Sequence, residues 1–391
     1  DRLVARNFFA VFNGSLEPHE AGKRQATEPK RTGLHETAPV HRQVAAKLRA
    51  ADQVRSFASR HSAPRLVVEE KLLRVEERPN DILVGGLAVD GFLLAILVLD
   101  FALEIGVDLV ALSFVQTVED IEEVKAIIAG RAPLVAKLEK PAAISNLEPI
   151  VAAADAVMVA RGDLGVEYAP EDVPVIQRRI VRCARGLGRP VIVATQMLES
   201  MIENAAPTRA EASDVATAIY QGADAVMLSG ETAVGRHPAT TVAIMSRIIR
   251  ATEGAEDYRR SLEQFSGDIP AQSAIDVVAE TAQGMAEAEG ATALALRTGA
   301  FDRLARFARV RGTAPILYGS LDDQRLRTAC LLWGVHPQRL NAGADYWYRD
   351  LMDAAGLEGR VAYARWAGDA ERFAWEVGVG KGQNGEKITG V

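Results

Sequence analysis

The chain has 391 residues, 48% of them hydrophobic, with 45 Lys and Arg against 52 Asp and Glu for a formal net charge of −7. That length gives two or three domains with ample core, and the acidic balance excludes a general nucleic-acid partner, which would need a basic face. Cys183 and Cys330 lie outside any CxxC spacing and point to a reducing compartment without a disulfide framework.

In chain order, residues 13–43 are polar, contain Pro and Gly, and show no sustained period, so they read as loop. Residues 40–58 have helical character, and 65–84 (RLVVEEKLLRVEERPNDILV) reads as two strands joined by a turn at Pro79-Asn80-Asp81. The longest apolar run, 92–99 (FLLAILVL), is followed by Asp100, Glu104 and Asp108. It is far short of the roughly 20 residues that span a bilayer. No secretory leader is evident, so the expected location is the cytoplasm, with no membrane partner.

From residue 101 one unit recurs: a short β-branched run ending on polar residues, then a helix. The runs are 108–116 (DLVALSFVQ), 133–140 (PLVAKLEK), 156–163 (AVMVARGD), 190–197 (PVIVATQM) and 225–232 (AVMLSGET). Thr117 and Asp120 form a capping box for a helix that buries Ile121, Val124 and Ile128 and stops at Gly130. Residues 173–185 repeat the design with Ile176, Ile180 and Ala184 inward and Gly186 as the stop; 217–221 ends a helix at Gly222. Strands alternating with helices imply a parallel sheet, here a TIM (β/α)8-type barrel. Beyond residue 270, a helix from Ser273 through Ala288, strand 291–296, helix 302–310, strand 315–318 and helix 323–333 read as a small doubly wound α/β domain.

Lys137 and Glu139 are two apart on a strand and point to one side. Arg161 and Asp163 repeat that spacing, Thr195 ends the next strand, and Ser229 and Glu231 end the last. Any one of these could be an ordinary rim ion pair. Four strand ends presenting polar groups together mark a site, because a barrel keeps its chemistry at the C-terminal ends of its strands. Two carboxylates suit a hard divalent cation, a lysine complements an anion held with it, and the Asp163-Leu164-Gly165 turn offers amides to a carboxylate or phosphate. Met197 and Met201 read as core, His237 as surface, and Glu199 and Glu203 as a solvated helix face. There is neither a Walker A loop nor a GxGxxG after a strand.

At these residues the chain resembles the pyruvate kinase family. AKLEKPAAISNLEPI (136–150), VMVARGDLGVE (157–167), PVIVATQMLESMI (190–202) and PTRAEASDVATAIYQGADAVMLSGETA (207–233) are close to family motifs. GVDLVALSFVQ (106–116), LLWGVHP (331–337) and GEKITGV (385–391) are looser ones, and 65–91 is faintly similar to the end of the family's inserted β domain. The resemblance implies a divergent N-terminal region (1–64), a remnant β module (65–91), a catalytic barrel portion (92–255) and a C-terminal α/β domain (270–391). It also implies transfer of phosphate from phosphoenolpyruvate to ADP, giving pyruvate and ATP, the last step of glycolysis. Glu139 and Asp163 would ligate Mg²⁺ or Mn²⁺, and Lys137 would stabilise the phosphoryl group in flight. Gly162, Asp163 and Thr195 would hold the substrate carboxylate, and Thr195 and Ser229 lie where a proton is relayed to the enolate. Arg161 and Arg209 would support the site and a subunit contact, with a homotetramer as the family expectation.

The family's first three strand motifs have no counterpart here, so the N-terminal part of the barrel reads as reduced or rebuilt. K⁺ is implied by the family alone; Asn13, nearest in chain order to its usual ligands, is a poor substitute. Residues 297–300 (RTGA) lack the Ser- and Thr-rich character of the family's effector-phosphate loop. Two other readings stay open: a Mg²⁺-dependent pyruvate lyase or aldolase on a similar barrel, and a catalytically impaired paralogue or incomplete chain.

Overall fold

The computed structural model describes residues 99–366 apart from 101, 105, 267–270, 272 and 341–346, together with five short strands outside that range. The helix expected over 40–58, the loop over 13–43, Asn13 and the 385–391 motif lie outside the described residues.

Seven parallel strands form the first sheet. In chain order they are β1 (Phe8–Ala10), β2 (Leu66–Val68), β5 (Leu109–Leu112), β6 (Leu134–Leu138), β7 (Ala156–Ala160), β8 (Val191–Ala194) and β9 (Ala225–Leu228), and their spatial order is β1-β9-β8-β7-β6-β5-β2. Each of β5 to β9 is buried along its whole length, as near-continuous apolar runs such as VIVA require when both faces are covered. Alternate residues separate two cores. Val110, Leu134, Val157, Val193 and Leu228 pack outward against helix residues such as Ile121, Ile180 and Val215. Leu109, Ala111, Val135, Met158, Ile192 and Met227 form an inner cluster enclosed by the curl of the sheet.

The strands expected over 65–84 are distributed differently. Leu66–Val68 joins the large sheet beside β5 with Leu66 opposite Leu109, and only β3 (Ile82–Val84) is in a hairpin, antiparallel to β4 (Leu87–Val89). A three-residue apolar run suits either setting, and periodicity cannot separate them. Between β1 and β2, the two edges of the arc, no pairing occurs among the described residues.

The helix caps follow the local sequence. Thr117 Oγ1 accepts from the Asp120 amide while Asp120 Oδ2 accepts from Thr117, opening helix Val118–Ile128. Ala129 and Gly130 then turn left-handed, at φ 51° and 73°. Helix Val173–Gly186 buries Ile176, Ile180 and Ala184. It ends at Gly186, the expected stop, and the left-handed residue comes two later, at Gly188.

The second sheet has the order β12-β11-β10-β13-β14: β10 (Ala293–Arg297), β11 (Ile316–Ser320), β12 (Val335–Arg339) and β13 (Arg360–Trp366) are parallel, and β14 (Trp375–Lys381) runs antiparallel to β13. Helices cover both faces, with Leu294, Phe307 and Ala282 on one and Ala295, Leu317 and Leu351 on the other, a doubly wound α/β domain. The helix expected over 323–333 ends earlier, as Asp323–Ala329, because Leu331 turns away into the inner cluster of the barrel.

This domain closes the end of the barrel where strands begin. Leu331, fully buried, and Phe301 pack into the inner cluster. Arg327 Nε lies 3.0 Å from both oxygens of Asp108, just ahead of β5, and Arg311 lies 3.0 Å from Asp224, just ahead of β9. Lys137 and Glu139 stand at the opposite ends of the strands.

Candidate active site

Because Val135 faces the inner cluster, the two-residue period places Lys137 and Glu139 on that side above it. Lys137 Nζ lies 2.8 Å from Glu139 Oε1 and donates to Ser113 Oγ at 2.7 Å. Glu139 is fully buried; its Oε2 accepts from the Phe114 amide at 2.8 Å, and its Oε1 accepts no hydrogen bond of good geometry. Burial pushes the Glu139 carboxyl above the usual carboxylate range. Lys137 and the Phe114 amide pull it part of the way back, and the charge of Asp163 pushes it up again. Asp163 therefore sits within electrostatic reach of Glu139.

Arg161 and Asp163 are not on a strand. β7 ends at Ala160, and Arg161–Glu167 is a short helix, so their two-residue spacing sends them to different sides. Arg161 is buried and bonds to the carbonyls of Thr195 (2.6 Å) and Gln196 (3.0 Å) and to Asp214 Oδ2 (2.5 Å). Gly162, expected to offer its amide to a substrate, donates it to Thr195 Oγ1 at 2.8 Å, and that hydroxyl donates to the Ala194 carbonyl at 2.6 Å. Asp163 is half-buried at the same helix start.

Ser229 follows β9 with its Oγ buried and without a hydrogen-bond partner among the described residues. Glu231, almost fully buried, is a brace: its two oxygens accept from the Ser229 amide at 2.7 Å and the Leu198 amide at 3.1 Å, joining the loops after β8 and β9. Met197 and Met201 are core, Glu203 pairs with Arg236 on the surface, and Glu199 is exposed on a 3-10 turn rather than an α-helix. His237 is half-buried and Arg209 exposed at the start of helix Arg209–Tyr220. That helix carries a second capping box, Thr208 with Glu211, and Glu211 also accepts from Ser200. Sequence reading overlooked Ser113, although the parity that selects Lys137 also selects it after Leu109 and Ala111.

The donor set fits a divalent cation that keeps open positions. Glu139 Oε1 is a buried oxygen with coordination to spare, and Asp163 supplies a second carboxylate. Among the described residues no group of three or more His, Cys, Asp and Glu side chains gathers into an all-protein cage. Mg²⁺ bound through one or two carboxylates, water and substrate oxygens asks for no such cage. A cavity of about 270 Å³ lies elsewhere, between Arg131 and Pro133 below the barrel and Tyr318, Gln324 and Thr328 of the second domain. No rim residue lines it.

Comparison with known proteins agrees with this geometry. Residues 95–242 match the family described as pyruvate kinase, barrel domain. A pyruvate kinase of Agrobacterium vitis is 51% identical over 237 residues, 61% of this chain and 49% of that protein. One from Mycobacterium tuberculosis is 49% identical over 240 residues, 61% and 50% of the two chains. The crystal structure of pyruvate kinase from Pyrobaculum aerophilum superposes with a TM-score of 0.63 at 27% identity, covering 73% of this chain and 66% of that one. A pyruvate kinase from Cryptosporidium parvum gives 0.65 at 29%, covering 72% and 60%. The chain spans about half the length of the curated relatives it matches. Among the described residues no helix is long and apolar enough to cross a membrane.

Proposed function

We propose that this chain, whose residues 95–242 form a pyruvate kinase barrel domain, transfers a phosphoryl group from phosphoenolpyruvate to ADP, giving pyruvate and ATP. One observation carries the proposal. The amine of Lys137 is held 2.8 Å from the buried carboxylate of Glu139, with Asp163 in electrostatic reach, where the parallel strands of the barrel end. Phosphoryl transfer asks the protein for positioning and charge neutralisation rather than covalent chemistry.

Glu139 and Asp163 would hold Mg²⁺ or Mn²⁺, which supplies charge neutralisation for the transferred group. Lys137 presents its ammonium to the phosphoryl oxygens as negative charge spreads over them. Thr195 Oγ1 and the Gly162 amide form a donor pair for the substrate carboxylate, once their mutual bond opens to admit it. Ser229 Oγ, a buried hydroxyl without a hydrogen-bond partner among the described residues, would pass a proton to the enolate carbon, with Thr195 as the second candidate. Arg161 supports the site from behind by holding the Thr195 carbonyl. K⁺ dependence, a homotetramer and a cytoplasmic location belong to the same reading and rest on the family.

The test is a coupled assay for pyruvate from phosphoenolpyruvate and ADP with Mg²⁺, with and without K⁺. ADP-dependent pyruvate supports the proposal, whereas pyruvate formed without ADP points to the lyase or aldolase class. A second reading draws on the arc itself. Its edges, β1 and β2, are not paired, leaving seven strands among the described residues where a closed barrel of this type has eight. A chain that retains only the metal and phosphoenolpyruvate half of the site would bind Mg²⁺-dependent phosphoenolpyruvate in calorimetry and show no turnover.

A further inference from the structure

We infer that the Ser113–Phe114 turn is the positioning element that aims Lys137 at a phosphoryl group, an inference that rests on the proposed transfer and refines it. Both members of the Lys137–Glu139 pair are fastened to this one turn. Ser113 Oγ accepts a hydrogen bond from Lys137 Nζ at 2.7 Å, and the Phe114 amide donates one to Glu139 Oε2 at 2.8 Å. Successive residues of one turn thus fix the cation and the anion separately. An ammonium held by Glu139 alone could swing about the carboxylate; the second acceptor removes that freedom and selects one direction for the third N–H.

The turn is built to hold its shape. Phe114 is a non-glycine residue at φ 56°, a left-handed conformation that persists only when its surroundings over-determine it. Here the next residue, Val115, is buried at 1% exposure. The Phe114 ring lies 5.1 Å under Lys140 Nζ, and Lys140 is in turn held 2.6 Å from Glu167, at the end of the helix that carries Asp163. β5, β6 and the helix after β7 are therefore tied together around Lys137. Ser113 is itself buried at 4% exposure, so its hydroxyl is not a surface accident.

The test uses the full chain and two variants, Ser113→Ala and Ser113→Thr, with three readouts: turnover, binding of phosphoenolpyruvate and of pyruvate by calorimetry in the presence of Mn²⁺, and Mn²⁺ affinity by electron paramagnetic resonance. Loss of a group that orients a functional side chain costs roughly 10–100-fold, so Ser113→Ala is expected to lower kcat about tenfold or more. It should weaken phosphoenolpyruvate about threefold or more while leaving pyruvate, which lacks the phosphoryl group, and Mn²⁺ within about twofold. Ser113→Thr, which keeps the hydroxyl, restores both losses. Equal weakening of phosphoenolpyruvate, pyruvate and Mn²⁺, no change in any of them, or failure of Ser113→Thr to restore function would overturn the inference. A wild-type chain without turnover fails the proposed transfer, and the ratio of phosphoenolpyruvate to pyruvate binding then decides this inference by itself.

Discussion

Arg161 bonds to the Thr195 carbonyl at 2.6 Å while its other arm reaches Asp214 at 2.5 Å, and that pair of bonds shapes the loop after β8. Thr195 and Gln196 are consecutive non-glycine residues at φ 67° and 54°. Left-handed backbone of this kind costs about 1–2 kcal/mol per residue, and the guanidinium offsets it by holding both carbonyls. Arg161→Met should lower kcat about 100-fold by misplacing Thr195, and Asp214→Asn should do so less, since the carbonyl bonds survive. Steady-state kinetics on the two variants checks the order; an Asp214 effect equal to or larger than that of Arg161 contradicts it.

Lys137 and the proposed metal ligands should separate cleanly. Lys137→Met is expected to cut phosphoryl transfer by about 10²–10³-fold, the usual loss when one charge-stabilising group is removed. Mn²⁺ affinity should hold or tighten, because a neighbouring cation has gone. Glu139→Gln should instead abolish Mn²⁺ binding. Turnover measured beside Mn²⁺ titration distinguishes the two, and parallel losses in Lys137→Met would refute the role.

The contact between the domains makes a prediction about stability. Asp108 is fully buried and met by Arg327 at 3.0 Å, whereas Arg339 pairs with Asp323 on the surface, both side chains more than half exposed. Arg327→Met takes a cation away from a buried carboxylate and should cost about 3 kcal/mol. Arg339→Met should cost about 0–1 kcal/mol. Urea unfolding of both variants checks the contrast; similar midpoints would contradict it.

Glu253 gives a pH signature. Burial pushes its carboxyl up, and the 2.7 Å bond from Trp333 Nε1 and the charge of Arg311 pull it only part of the way back. With the native pKa above the unfolded one, its contribution to stability is full below about 4.5 and is lost as pH rises through the raised native value. Glu253→Gln, which keeps an acceptor for Trp333, should melt close to wild type at pH 4 and higher at pH 7.5, by about 2–4 °C. Calorimetric scans at the two pH values test it, and a variant that melts lower at pH 7.5 would reverse the sign.

Much of the barrel was written in local patterns. The apolar runs of β5 to β9 and the Thr117 cap depend only on neighbours in sequence, and so did the parity that put Lys137 and Glu139 on one side. What was not legible depended on residues far apart. The strand period was carried one turn too far at Arg161, because nothing local marks where Ala160 gives way to a helix; the helix start is stabilised by Thr195, 33 residues on. Leu66–Val68 took its place from Leu109, and the end of helix Asp323–Ala329 was set by room for Leu331 inside the barrel. Ser113 was readable by the rule already in use, yet a small hydroxyl beside a phenylalanine draws no notice until its partner is known.

Leu331 and Phe301 act as a stopper at the foot of the barrel. The inner cluster that carries Val135, two residues before Lys137, is therefore floored by the second domain and not by the sheet alone. Repacking that domain at Leu331 would disturb the lysine's support from below.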